Sequence, residues 1–223
     1  DQILIVTGEM GTGKSQLLAA AAQRLVNSRR PVLLLLGQTY ISDANIEAQI
    51  MNGLDGLNAG ESFEAMLAVM DEKSFLTGES AVILIDAINE SRNRDIWKIG
   101  INRLIAMVEK YANVRMVIAL RSGFEGLTLS DKVLERRKNG DIASIVHYGF
   151  ADDSPSSIYE FLSKSGIPFS PEYYLQSEMT NPLFLTWFCQ TYSGEEQGLI
   201  SLEEAVLEHA DKEASKEAGV QER

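Results

Sequence analysis

Gly8-Glu9-Met10-Gly11-Thr12-Gly13-Lys14-Ser15 puts three glycines, an ammonium and a hydroxyl into one short stretch. These are the groups needed to hold a chain of phosphates. Glycine lets the backbone bend tightly and aim successive N–H groups at phosphate oxygens, and a side chain at Gly13 would block that approach. In this pattern Lys14 reaches the β- and γ-phosphates and the Ser15 hydroxyl binds Mg²⁺. Glu9, Met10, Thr12 and Gln16 complete the expected contacts of the loop. The context is also right. Ile3-Leu4-Ile5-Val6 is an apolar run that reads as a buried strand, and the Ala/Leu-rich residues 15–26 read as a helix whose positive end faces the anion.

A second chemical element lies about 70 residues later. Ala81-Val82-Ile83-Leu84-Ile85 is an apolar strand that ends in Asp86. A carboxylate at that end can meet a Mg²⁺ held at the phosphate loop; standing alone it would read as a turn residue or a helix cap. Glu90 can polarise a water for attack on the γ-phosphate, or it can be an acid favoured at a helix start. Asn89 cannot act as a base but can orient water. Residues 114–120 form another apolar strand leading into Arg121. In an open parallel sheet, ligands bind beyond the carboxyl ends of the strands, so Arg121 is placed to read the γ-phosphate; a surface arginine is the alternative. Arg92 and Arg94 read as a solvated loop, and His147 and His209 as structural.

These residues need a scaffold. Strands are expected near residues 3–6, 31–36, 81–85, 114–120 and 142–148, with helices at 15–26, 43–51, 62–72 and 94–111. In the last helix Ile96, Ile99, Leu104, Ile105 and Val108 should face inward. Short runs apolar on both faces, alternating with helices, predict an α/β fold with a parallel sheet covered on both sides. Beyond residue 150 the pattern changes to helices alone, at 154–165, 171–179, 182–192 and 202–218. The expected organisation is a nucleotide-binding core at residues 1–150 and a helical subdomain at 151–223.

The 223-residue chain carries a formal charge of −12, which argues against sequence-independent binding to nucleic acid. The one basic run, Arg136-Arg137-Lys138, reads as a solvated helix end. No apolar stretch is long enough to span a membrane. Cys189 is the lone cysteine, which excludes a disulfide framework and points to a reducing, cytoplasmic setting. It reads as a small buried hydrophobe, and Trp97, Trp187 and the aromatics of 184–192 as core. Asp1 opens straight into a strand-like run, so the chain reads as a piece of a longer protein. No guanine-reading Asn-Lys-x-Asp motif is present, which favours ATP and ADP as the nucleotides.

With the loop and strand-end residues placed, the chain resembles the STAND class of P-loop NTPases, particularly its NACHT-like members and the antiviral STAND proteins of bacteria. Asp86, Ala87 and Glu90 match the family's acidic pattern; Asn89 departs from it, which implies slow hydrolysis. Arg121 falls at the family's sensor arginine. Asn181-Pro182-Leu183-Phe184-Leu185 resembles the segment whose proline contacts adenine, so the resemblance makes Pro182 a ligand contact where it would otherwise be an ordinary helix-start residue. It also implies a signalling switch that self-associates when ATP is bound, answers a protein trigger, and works with effector and sensor domains outside these residues. An AAA+-type motor, which commonly has Glu directly after the Asp where Ala87 stands here, is one alternative. A small-molecule kinase and a nucleotide-bound scaffold without turnover are the others.

Overall fold

The computed structural model describes residues 1–40, 45–54, 62–150, 154–168 and 177–192. Two compact units emerge. The first comprises Asp1–Met10 and Lys14–His147; the second comprises Gly11–Gly13 and Tyr148–Arg223.

In the first unit the elements run β1 (Ile3–Thr7), α1 (Lys14–Asn27), β2 (Val32–Leu36), α2 (Ile46–Asn52), α3 (Phe63–Thr77), β3 (Ala81–Asp86), α4 (Asp95–Val108), β4 (Val114–Ala119), α5 (Glu125–Thr128), α6 (Asp131–Lys138) and β5 (Ala143–Val146). The five strands are parallel, in the order β2-β3-β4-β1-β5. Each parallel step needs a crossover, and the helices between strands supply it.

The expected α/β fold is present, and β3 shows why its strands lack alternation. All six of its residues are buried. Ala81, Ile83 and Ile85 join one core with Trp97, Ile101 and Leu104, whereas Val82 and Leu84 join Val6, Leu18 and Ala22 in another. Both faces are covered, so Ala81–Ile85 form a continuous apolar run, and Asp86 is the buried carboxylate that ends it. Each fully buried Ile or Leu in it contributes about 1.5–3 kcal/mol.

In α4, Ile96, Leu104, Ile105 and Val108 are buried as expected, but Ile99 is 75% exposed. Ile99 lies off the stripe formed by Trp97, Gly100, Ile101 and Leu104, which is the face turned to the sheet. The basic run Arg136-Arg137-Lys138 ends α6, where Arg136 pairs with Glu109 and Arg137 lies 3.7 Å from Glu125.

The described part of the second unit holds α7 (Ser154–Lys164), a 3₁₀ turn (Ser177–Thr180) and α8 (Pro182–Thr191), with no strand among its described residues. Ile158, Leu162, Ile167, Met179, Leu185 and Phe188 form its core, and Trp187 and Cys189 pack against it. Burial raises the Cys189 thiol pKa, as expected of a packing residue. The helix expected over 171–179 is described only from Ser177, where it is a 3₁₀ turn. The helix expected over 202–218, with His209, lies outside the described residues.

Candidate functional site

β1 ends at Thr7 and the chain turns at once into the glycine-rich loop. Gly11 and Gly13 adopt φ of +78° and +95°, a region that L-residues with a Cβ avoid. α1 then starts at Lys14 with no acid in its first turn, so the helix itself places no negative charge at its amino end.

Parallel register brings the other candidates level with this loop. Val6 pairs with Ala119, and Ile85 with Ile118, so Asp86 and Arg121 leave the sheet at the same end as Gly8. The Ser122 N–H donates to the Gly8 carbonyl at 3.0 Å. The same carbonyl accepts from Lys14 Nζ at 2.9 Å, and the Glu9 carbonyl accepts from Lys14 Nζ at 2.7 Å.

Burial lowers the Lys14 ammonium pKa below its ordinary value. Asp86, Glu9 and Glu90 pull it back up, and Arg121 pushes it further down. One lysine therefore senses Asp86, Glu90 and Arg121 together, although the residues lie far apart in sequence. Asp86 closes β3 and is 6% exposed; Ser15 is exposed at the start of α1. Among the described residues no cluster of His, Cys, Asp and Glu could hold a metal ion. A Mg²⁺ here would need oxygens from a bound triphosphate besides Asp86 and Ser15. A buried carboxylate near the lysine and an exposed hydroxyl at the helix start fit that requirement.

Ala87, next after Asp86, is left-handed at φ +53°, a conformation that costs a residue other than glycine about 1–2 kcal/mol. The turn throws the chain into a 3₁₀ segment, Ile88–Glu90. It is possible because Gly37 lies against it: a Cβ at Gly37 would come 2.7 Å from Ile88 Cα and 2.8 Å from the Asp86 carbonyl oxygen. A buried chain of donors holds the next residues, with Trp97 Nε1 donating to Ser91 Oγ at 2.5 Å and Ser91 Oγ donating to the Gly37 carbonyl at 2.6 Å. Glu90 is exposed at the end of this turn, and α4 begins only at Asp95, so Glu90 does not cap that helix.

Solved structures share this fold. A replication initiator DnaA bound to AMPPCP and single-stranded DNA superposes with a TM-score of 0.56 at 16% identity, over 95% of this chain and 60% of the other. AMPPCP-bound DnaA from Aquifex aeolicus gives 0.57 at 16% identity, over 94% and 59%. Domain III of the Thermotoga maritima DnaA gives 0.51 at 15% identity, over 92% and 82%. The fold is that of a P-loop NTPase. This chain thus spans about three-fifths of the first two structures. No family model and no curated protein matches it.

One expectation is corrected by this comparison. Net charge argued against nucleic acid, yet a structure with the same fold carries single-stranded DNA. Charge summed over a chain does not describe the local surface that makes a contact, so the exclusion is withdrawn. Among the described residues no helix is long and apolar enough to cross a membrane.

Two positions differ from their sequence reading, and a third had none. Arg94, expected in a solvated loop, donates from Nε to the Asn89 carbonyl at 3.1 Å and lies over the Phe124 ring. Asn89 is 7% exposed, and its Oδ1 accepts the Arg121 backbone N–H at 2.8 Å. That acceptor is already engaged. Nothing in the sequence points to this bond, because its partners are 32 residues apart. Phe124, which holds a ring against two arginines, was not anticipated at all.

In the second unit, Pro182 is the first residue of α8 and Asn181 caps the helix, its Oδ1 accepting the N–H groups of Leu183 and Phe184. The Leu183 N–H also donates to the Gly11 carbonyl at 3.2 Å. A Cβ at Gly11 would lie 2.7 Å from Asn181 Oδ1, so glycine is required there for space as well as for conformation.

Proposed function

We propose that this chain is the ATP-binding, slowly hydrolysing switch module of a multidomain signalling or defence NTPase of the STAND class, NACHT-like, with a core at residues 1–150 and a helical subdomain at 151–223. The loop from Gly8 to Ser15, with Gln16, cradles the phosphates, and Lys14 neutralises the β- and γ-phosphates. Ser15 and Asp86 hold Mg²⁺, which supplies charge neutralisation along the triphosphate when bound. Glu90 accepts a proton from the attacking water, Arg121 reads the γ-phosphate, and Pro182 contacts adenine. ADP replaces ATP after turnover, and the two states differ in self-association. A protein trigger and effector and sensor domains beyond these residues complete the switch, in a cytoplasmic setting.

The observation that carries this reading is the convergence on Lys14 of Asp86, Glu90 and Arg121 beside a glycine loop at the carboxyl end of a parallel sheet. Ala87 in place of the Glu that commonly follows this Asp in AAA+-type motors favours the switch over the motor.

The test is nucleotide binding by the full chain. Lys14→Ala should weaken ATP at least about tenfold, or about 1.4 kcal/mol. Asp86→Ala should weaken ATP more in Mg²⁺ than in EDTA. ATP binding by Lys14→Ala at wild-type strength overturns the phosphate-loop reading. Equal losses for Asp86→Ala with and without Mg²⁺ remove the metal role.

A further inference from the structure

We propose that Asn89 is a positioning residue that sets Arg121 for its phosphate, acting with Phe124 and Arg94 in a closed circuit of four residues. The inference rests on the reading of Arg121 given above and names what makes that reading physically workable.

Arg121 stands two residues beyond β4, where the sheet no longer dictates its conformation. An arginine side chain free to sample its rotamers gives up conformational entropy when it is fixed. A group that must tell two phosphates from three is most effective when that ordering precedes binding. No ion pair performs it: among the described residues no carboxylate pairs with Arg121 or Arg94.

The circuit performs it instead. Asn89 Oδ1 accepts the Arg121 backbone N–H at 2.8 Å and fixes where the residue leaves the strand. The Arg121 guanidinium lies 5.6 Å from the Phe124 ring centroid, and the Arg94 guanidinium 5.1 Å from the same centroid. Arg94 Nε then donates back to the Asn89 carbonyl at 3.1 Å. Phe124 is itself held, its N–H donating to the Arg121 carbonyl at 3.2 Å and its own carbonyl accepting from Thr128 Oγ1 at 2.8 Å.

Two further contacts give the circuit direction. Arg121 Nη1 reaches 3.9 Å from the Met10 sulfur, so the guanidinium points toward the glycine loop. At the other end, left-handed Ala87 turns Asn89 inward and leaves Glu90 exposed. The one-residue difference between Asn89 and Glu90 thus separates two jobs: Asn89 braces the arginine from beneath, and Glu90 faces solvent where a water can be met. An uncharged amide suits the bracing position, because a second buried carboxylate beside Asp86 would repel it.

The test measures ATP and ADP affinity, in Mg²⁺, for full chains carrying Arg121→Ala, Asn89→Leu, Phe124→Leu and Phe124→Tyr. Asn89→Leu keeps the branched shape of the side chain and removes the acceptor; it should cut the preference for ATP over ADP about fivefold while ADP affinity stays within about twofold. Phe124→Leu, at a half-buried site that tolerates it, should cut the preference about threefold, and Phe124→Tyr, which keeps the ring, should restore it. In an Arg121→Ala background Asn89→Leu should cost nothing further, because coupled residues are non-additive. If Arg121→Ala abolishes the preference while Asn89→Leu and Phe124→Leu leave it intact, the positioning role is overturned and the reading of Arg121 stands. Equal losses of ATP and ADP in both bracing variants overturn it too, in favour of a structural role. A preference unchanged in Arg121→Ala overturns the reading of Arg121 and this inference with it.

Discussion

At β3 and β4 the chain passes from buried strand to charged residue within two positions, at Asp86 and Arg121. The edge strands β2 and β5 differ. They keep Leu34, Leu36, Ile145 and Val146 exposed and end without a charged candidate. Interior strands are hydrogen-bonded on both sides, which fixes where the chain leaves the sheet at Asp86 and just before Arg121. Edge strands lack that second constraint. The candidate residues Asp86 and Arg121 thus follow doubly paired strands, whereas the edge strands carry exposed apolar side chains.

The largest effect that would break this contrast concerns stability. Ile83, fully buried in β3, should cost about 3 kcal/mol when cut to alanine, whereas Leu34, 38% exposed in β2, should cost less than about 1 kcal/mol. Denaturant titration of both variants checks this, and equal losses would show that the edge is as constrained as the centre.

Glu90 provides the next test, on the solvent side of the β3 end. Glu90→Gln should slow ATP hydrolysis about 100-fold with ATP affinity retained. Single-turnover rates decide it, and hydrolysis at the wild-type rate would return the water to another group.

The smallest effect belongs to Tyr40, just beyond β2. Burial pushes its phenol up to about 12 from 10.0, and its ring meets Trp97 edge-on with centroids 5.4 Å apart. The folded state therefore holds this proton more tightly than the unfolded chain, and the stability it contributes is complete below pH 10 and is lost as pH rises toward 12. Urea midpoints between pH 9 and pH 12 should fall less steeply for Tyr40→Phe than for wild type.

Much of this was legible in the sequence, for identifiable reasons. β3 announced itself because a strand covered on both faces has no choice but a continuous apolar run, and the loop because phosphate geometry demands glycine at set places. Ile99 was misjudged because helical periodicity names a stripe without fixing its width. The short helices α5 and α6 carry little apolar period; α6 left one signal, the Ser130 cap that accepts the Val133 N–H. Strand order was out of reach altogether, since nothing local shows that β4 inserts between β1 and β3. That insertion places Arg121 between the loop and Asp86, and the bond from Arg121 to Asn89 follows from it.

The chain has two tryptophans, and each compact unit holds one: Trp97 in the first and Trp187 in the second. Trp97 is fully buried and donates its indole N–H to Ser91, in the segment that carries Asp86, Asn89 and Glu90. Trp187 is partly exposed on α8, the helix that begins with Pro182. Their fluorescence should differ, blue-shifted and shielded from quencher for Trp97, redder and quenchable for Trp187. Replacing either by phenylalanine leaves a single intrinsic fluorophore, so the surroundings of the Asp86–Glu90 turn and those of the Pro182 helix can be followed one at a time, in real time and without a label.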